Sequence, residues 1–198
     1  MATAKNKITY RLINPDDVII VALDMGVEHT GVSVWCPGVE EPSIFQVENH
    51  EKRMAFKPVA MAESVLDAVV DDEIVDTFWG RFPLLFCIED YSYGGVHYNV
   101  LQPEVIGAFK YSLRNSDPVA GITFVNQATI RKVVAGSGRA KKSQVKRAVK
   151  EAGYPLKSGH MADSVAVYLT YKQIWDKYEE GSYGRSMILM PELINREL

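Results

Sequence analysis

The chain of 198 residues is long enough for one domain with a substantial core, and its 47% hydrophobic and 24% charged residues are typical of a soluble globular protein. No apolar run approaches the roughly 18 residues of a membrane helix, and the N-terminus has no apolar segment of signal-peptide length. Cys36 and Cys87 lie in apolar runs without zinc-type spacing, so we expect reduced thiols and a cytoplasmic location.

The net charge of -3 conceals a segregation of charge along the chain. No acidic residue lies between Asp117 and Glu151, and this interval contains eight basic residues: Arg131, Lys132, Arg139, Lys141, Lys142, Lys146, Arg147 and Lys150. Such a patch can bind phosphate on an acidic protein, because the local potential steers a polyanion. A solvated helix face is an equally good interpretation of the run alone.

The first half of the chain predicts strands and then a helix. Residues 1–17 are a flexible lead-in that ends at Asn14-Pro15-Asp16, and VIIVALD (18–24) is a strand buried on both faces. After the turn MGVEHTG, the segments VSVW and SIFQVEN predict two further strands. Apolar residues then recur at helical spacing from about Pro58 to Phe78, which predicts one amphipathic helix.

The second half alternates between strands and helices. PLLFCIED (83–90) and GITFVN are predicted strands, separated by the loop YSYGGVHYN and the helix EVIGAFKYSLRN. Helices are then predicted at 128–135, 140–152 and 160–178. The order β-β-β-α-β-α-β-α-α predicts an α/β fold with a mixed five-stranded sheet and helices on both faces. Residues 18–180 form the predicted domain, and 181–198, with MILMPELI, an appendage.

Acidic residues follow the predicted strands at points where functional side chains gather. Asp24 ends the first strand and Glu89 ends the fourth, so the two carboxylates lie close together if these strands are parallel neighbours. His160 and Asp163 are three residues apart and share one face of the last helix. Three carboxylates and an imidazole at one point suit two Mg²⁺ or Mn²⁺ ions, which catalyse phosphodiester hydrolysis in many nucleases.

Each of these residues also has an ordinary structural interpretation. A strand-end aspartate such as Asp24 is commonly just solvated, and Glu89 beside Asp90 can open a polar loop. His160 can be a neighbour of a helix cap, and Asp163 can interact favourably with the helix dipole. The joint pattern, rather than any single residue, favours the metal site.

Four segments, in order, resemble motifs of the RuvC-like Holliday junction resolvases of the ribonuclease H-like superfamily, over roughly residues 18 to 175. ALDMGVEHTGVSVW resembles the first motif, FCIED the second, and VVAGSGRAKKSQVKRAVKE the Gly-x-Gly and Lys-Ser-Gln-Val segment. GHMADSVAVYL resembles the last motif, which is His-x-x-Asp in some members. The resemblance implies a ribonuclease H-like fold.

The resemblance further implies a homodimer that cuts two opposing strands of a four-way DNA junction and leaves 5′-phosphates. Asp24, Glu89, His160 and Asp163 would hold two Mg²⁺ ions, with Mn²⁺ as a substitute, and Lys142 matches a lysine close to the scissile phosphate. The helix with Gly107 and Phe109 corresponds to the dimer interface. DNA contacts are expected from Arg131, Lys132, Gly136, Gly138, Arg139, Lys141, Lys142, Ser143, Lys146, Tyr91 and Tyr93.

The chain departs from the family pattern at one position of the loop after Glu89. Many members have a base-stacking aromatic residue three positions past this glutamate, where this chain has Ser92 between Tyr91 and Tyr93. A neighbouring tyrosine, or Tyr98, can replace it because stacking tolerates variable placement, although tyrosines that only pack the loop fit equally well. The alternative functions are therefore a looser endonuclease for flaps, forks and three-way junctions, as in some phage members, or a non-catalytic junction-binding relative.

A different class, the phosphotransferases of the actin-like and sugar-kinase type, also begins with strand-Asp-x-Gly-x-x-x-Thr-Gly. That class needs two such domains around ATP, and 198 residues do not provide them. It also gives no role to the pair His160 and Asp163.

Overall fold

A computed structural model of the chain describes residues 12–90, 101–114, 119–154 and 156–179, together with the strand at 189–192. Its central feature is a mixed sheet of six strands in the order β3-β2-β1-β4-β5-β6. The strands are β1 (Ile19–Asp24), β2 (His29–Trp35), β3 (Ser43–Glu48), β4 (Leu84–Asp90), β5 (Val119–Asn126) and β6 (Leu189–Glu192). β1, β4 and β5 are parallel neighbours, whereas β2, β3 and β6 run antiparallel to the strands beside them. The predicted mixed α/β fold is confirmed.

The sixth strand extends the five predicted from the sequence. Leu189–Glu192 pairs with β5, with Pro191 opposite Thr123. A proline argues against a central strand because it lacks an N–H group, but an edge strand tolerates it. β6 is such an edge strand, which explains why the MILMPELI segment did not predict it.

Helices cover both faces of the sheet. They are α1 (Lys57–Val70), α2 (Glu73–Phe78), α3 (Leu101–Leu113), α4 (Gln127–Ala135), α5 (Lys142–Glu151) and α6 (Gly159–Glu179). α1 and α3 belong to one apolar cluster with the odd-numbered residues of β1, whereas α5 and α6 belong to a second cluster with the even-numbered ones. Because successive side chains of a strand point to opposite faces, β1 contributes to both cores. None of the described helices is long and apolar enough to cross a membrane.

The single helix predicted from Pro58 to Phe78 is wrong, because the structure divides this segment into α1 and α2. Asp72 is the N-cap of α2, and its carboxylate accepts hydrogen bonds from the N–H groups of Ile74 and Val75. An aspartate in this position starts a new helix, since it satisfies N–H groups that have no partner within the first turn. The periodic apolar residues continue across the break, so periodicity alone did not detect it.

Candidate active site

Asp24 and Glu89 lie next to each other at one edge of the sheet. β1 and β4 are parallel, and Leu23 is paired with Ile88, so the two acidic residues follow at the same level. Asp24 lies on the same face of β1 as Ile20 and Ala22, which pack in the same apolar cluster as α5 and α6. Glu89 lies on the same side of the sheet as Asp24, whereas its neighbour Asp90 belongs to the other side, because successive residues of a strand alternate between the two faces. Strand alternation therefore selects Glu89, not Asp90, for this site.

A glycine in β2 allows α6 to approach these strand ends. Gly31 is paired with Asp24, and a Cβ atom at Gly31 would lie 1.9 Å from the backbone oxygen of His160. No larger residue fits there without a shift of backbone. Ser158 accepts a hydrogen bond from the N–H of Met161, 3.2 Å away, and so fixes the first turn of α6. The chain thereby presents His160 and Asp163 beside Asp24.

Two of the three carboxylates have positively charged or ionisable partners. Nδ1 of His160 lies 2.7 Å from Oδ2 of Asp24, and the ammonium of Lys142 forms an ion pair with Asp163. Lys142 is the first residue of α5, and a Cβ atom at Gly159 would lie 3.4 Å from its Cε. His29 is also close, with its ring 5.8 Å from that of His160.

Five of the predicted site residues line one cavity of about 140 Å³. Its lining includes the three carboxylates and two basic residues, namely Asp24, Glu89, Asp163, Arg131 and Lys142. His160 lies beside it through its contact with Asp24. A larger cavity of about 480 Å³, between the β2–β3 connection and the α5–α6 loop, is lined by none of the predicted site residues.

The electrostatics of the cavity are those of crowded carboxylates. The pKa of Glu89 is raised to about 8, chiefly by burial and next by the charge of Asp24, and the hydrogen bond from Gln127 opposes both effects. Burial also raises the pKa of Asp163, although its hydrogen bond with Lys142 acts against this. The hydrogen bond with Asp24 raises the pKa of His160. Additional positive charge in the cavity would therefore favour the ionised form of Glu89.

The donor set fits divalent cations of the Mg²⁺ class. Carboxylate oxygens are the ligands these ions prefer, and the pKa of Glu89 is raised by burial and by the charge of Asp24, both of which a bound cation would offset. Within the described residues, however, no three His, Cys, Asp or Glu side chains converge closely enough to hold an ion as they stand. Asp24 and Asp163 are turned toward His160 and Lys142 instead. Binding of an ion therefore requires these side chains to reorient.

Among the predicted DNA-binding residues that the structure describes, Arg131 and Lys142 line the cavity and the others lie outside its lining. Lys132 is an exposed residue of α4, and Ser143 and Lys146 are exposed residues of α5. Gly136, Gly138, Arg139 and Lys141 form the connection between these helices. Gly136 has a φ of 77° and ends α4 in the left-handed conformation, which explains a glycine there. Tyr91 and Tyr93 lie outside the described residues.

Two glutamines line the cavity but were not predicted as site residues from the sequence. Nε2 of Gln127 donates to Oε1 of Glu89 at 2.8 Å, and Nε2 of Gln102 donates to the backbone oxygen of Met25 at 2.9 Å. Gln127 is the first residue after β5. A polar residue directly after a predicted strand is a signal from which it could have been predicted. Gln102 lies at the start of α3, after residues that the structure does not describe, and no sequence signal marked it.

The sheet order, the helices on both faces and the acidic strand ends define a ribonuclease H-like fold. Among solved structures, the chain is similar to Thermus thermophilus RuvC, with 17% identity and a TM-score of 0.58 over 88% of this chain and 99% of that one. It is also similar to T. thermophilus RuvC in complex with Holliday junction substrate, with 18% identity, a TM-score of 0.59 and the same coverage. No family model and no curated protein sequence matches the chain. The resemblance to RuvC-like resolvases is therefore confirmed for the fold.

Proposed function

We propose that the protein is a metal-dependent endonuclease that resolves four-way DNA junctions by cutting two opposing strands and leaving 5′-phosphates. The observation that carries this proposal is the cavity that Asp24, Glu89 and Asp163 line together with Lys142 and Arg131. Its position at the strand ends of a RuvC-like fold supports the same function. One of the two RuvC structures contains a Holliday junction substrate.

The acidic residues and His160 would hold two divalent ions, Mg²⁺ or Mn²⁺. When bound, such ions activate a water molecule as the nucleophile and stabilise charge on the leaving oxygen. The carboxylates of Asp24 and Glu89 come from rigid neighbouring strands, and Asp163 comes from a helix whose approach Gly31 permits. His160 serves either as a ligand or as a proton acceptor for the attacking water, and both roles need its neutral form.

Lys142 brings positive charge to the place where negative charge increases on the reacting phosphate. Its ammonium pairs with Asp163 and its side chain lines the cavity. With Asp163 engaged as a metal ligand, the ammonium would be available to a phosphate oxygen, where a fixed cation stabilises the transition state. Arg131 lines the same cavity and contributes a second cation.

The segment from α4 to α5 supplies the DNA-binding surface. Lys132, Arg139, Lys141 and Lys146 are exposed along it, in the interval without acidic residues. Basic residues on such a surface neutralise backbone phosphates and hold the strand in register, without reading its sequence. Paired cuts on opposing strands require two active sites, so the functional unit is a homodimer.

The test is cleavage of a panel of DNA substrates by the purified protein with Mg²⁺ or Mn²⁺. Four-way, three-way, flap, fork and linear duplex DNA are labelled on each strand in turn, and the cuts are mapped on sequencing gels. We expect symmetrical cuts on two opposing strands of the four-way junction and ligatable products. Equal cleavage of flaps or forks would instead identify a looser branched-DNA endonuclease, and binding without cleavage would identify a non-catalytic relative.

A further inference from the structure

The neutral partner of Glu89 distinguishes this carboxylate from the other two in the cavity. Asp24 contacts the imidazole of His160, and Asp163 contacts the ammonium of Lys142. Glu89 instead accepts a hydrogen bond of 2.8 Å from the amide of Gln127. An amide orients a carboxylate through one oxygen without cancelling its charge.

The first turn of α4 fixes the position of Gln127. Asn126 is the N-cap, and its Oδ1 accepts a hydrogen bond of 2.9 Å from the N–H of Ala128. Asn126 is also paired with Asp90 of β4, so the residue that follows it begins α4 next to the end of that strand. The amide of Gln127 reaches Glu89 from an anchored backbone.

The hydrogen bond acts on the most flexible of the three carboxylates. A glutamate side chain has one more rotatable bond than an aspartate, so holding Glu89 in one orientation costs more conformational entropy than holding Asp24 or Asp163. A donor on Oε1 removes part of this freedom before any ligand arrives, and it leaves Oε2 and the remaining lone pair of Oε1 as acceptors. Partners of this kind beside metal ligands typically change metal affinity by 10- to 100-fold.

We propose that Gln127 is a positioning residue that holds Glu89 oriented for a divalent cation. This inference rests on the proposed function, since it assumes that Glu89 is a metal ligand. Gln127 itself contacts neither the cation nor the DNA in this account.

The test compares Mn²⁺ affinity, measured by calorimetric titration without DNA, in the wild type, Gln127→Met and Gln127→Glu. Methionine has similar length and no donor, whereas glutamate keeps the shape and adds a competing carboxylate. We expect Mn²⁺ affinity to fall about 10-fold or more in both variants. The Gln102→Met variant is the matched control, because Gln102 lines the same cavity but donates to Met25, and its Mn²⁺ affinity should stay within about 2-fold of wild type.

A double-mutant cycle with Glu89→Gln separates positioning from a general effect on the fold. If Gln127 acts through Glu89, Gln127→Met has no further effect on Mn²⁺ affinity once Glu89 is replaced. The inference about Gln127 would be overturned if Gln127→Met lowered Mn²⁺ affinity equally with and without Glu89. A loss of the same size in Gln102→Met, or unchanged Mn²⁺ affinity in both Gln127 variants, would also overturn it. None of these results would contradict the proposed function. A wild-type protein that neither binds Mn²⁺ nor cleaves DNA would contradict the proposed function as well.

Discussion

At the scale of single residues, the site is a set of carboxylates held apart from one another by cationic and neutral partners. His160 and Lys142 contact Asp24 and Asp163, and Gln127 orients Glu89. This arrangement suits a site that must stay folded without metal and also bind it, because the partners of Asp24 and Asp163 can be exchanged for an ion.

The raised pKa of Glu89 predicts how stability depends on pH when metal is absent. Its pKa of about 8 in the folded protein exceeds the value of 4.5 expected for an exposed glutamate. Between these values the folded state binds more protons, so the contribution of Glu89 to stability is present at pH 4 and lost as the pH rises toward 8. We expect Glu89→Gln in EDTA to be more stable than wild type at pH 9 by at least about 1 kcal/mol.

The measurement is urea unfolding at pH 5 and pH 9, with and without Mg²⁺. Mg²⁺ should restore the stability of the wild type at pH 9 and leave Glu89→Gln nearly unchanged. The same loss of stability with rising pH in both proteins would contradict the assigned environment of Glu89.

Lys142 is expected to act on the reaction more than on DNA binding. Lys142→Ala should slow single-turnover cleavage of a four-way junction by about 100-fold, since it removes a cation at the reacting phosphate. Binding measured in Ca²⁺ should weaken only a few-fold. Lys146→Ala is the control, because Lys146 is exposed on the same helix but does not line the cavity. An unchanged rate for Lys142→Ala would show that Lys142 belongs to a solvated face only.

At the scale of secondary structure, the contact between β2 and α6 brings His160 and Asp163 of the helix close to Asp24 of the sheet. Gly31 permits the approach, and Trp35 at the end of β2 stacks on Tyr168 of α6 with ring centroids 3.6 Å apart. Thr30 closes the turn between β1 and β2 through hydrogen bonds with the backbone of Gly26. The motif GVEHTG therefore supports the site although none of its side chains lines the cavity.

A methyl group at Gly31 should separate the two elements. The Cβ atom would lie 1.9 Å from the His160 oxygen and 2.3 Å from its carbonyl carbon. We expect Gly31→Ala to lower the free energy of unfolding by about 1–3 kcal/mol, as overpacking does. It should also slow cleavage, because His160 and Asp163 move away from Asp24.

Gly121→Ala is the matched control for this substitution. Gly121 is also a strand glycine, but its Cβ would make only ordinary contacts, at 3.8 Å and 3.9 Å. Thermal unfolding and single-turnover cleavage of both variants give the comparison. Equal effects of the two substitutions would contradict the specific role of Gly31.

The same elements show what the sequence could predict and what it could not. Asp24 and Glu89 were predictable, because strand ends and strand parity depend on local pattern, and His160 and Asp163 followed from helical spacing. The hydrogen bond of Gln127 with Glu89 joins residues 38 positions apart and depends on strand neighbours, which no local pattern encodes. The break at Asp72 had a local signal, an aspartate cap, which the continuing apolar periodicity obscured.

At the scale of the whole molecule, the sheet separates the face with the proposed active site from the face proposed for dimerisation. α4, α5 and α6 lie on the side of the acidic residues, and α1 and α3 lie on the other. Phe109, assigned above to the helix of the dimer interface, is fully buried within its own protomer and packs edge to face on Phe86. Tyr111 of the same helix is 75% exposed and is the better candidate for contact with a second copy.

We therefore expect a dimer that depends on the exposed side of α3. Wild type should have the mass of a dimer by light scattering at micromolar concentration, and Tyr111→Glu should shift it toward the monomer, because a charge at the interface remains desolvated and unpaired. Asp24→Asn should remain a dimer. A monomeric wild type would contradict paired cutting of opposing strands.

The most direct test of the central claim, that the acidic cavity hydrolyses junction DNA, is cleavage of one labelled four-way junction by wild type, Asp24→Asn and Asp163→Asn. Each substitution keeps the shape of the side chain and removes a charged ligand. The account predicts Mg²⁺-dependent paired nicks by the wild type, none in EDTA, and no detectable cleavage by either variant although both still bind the junction. Mg²⁺-dependent nicking by both purified variants would contradict it.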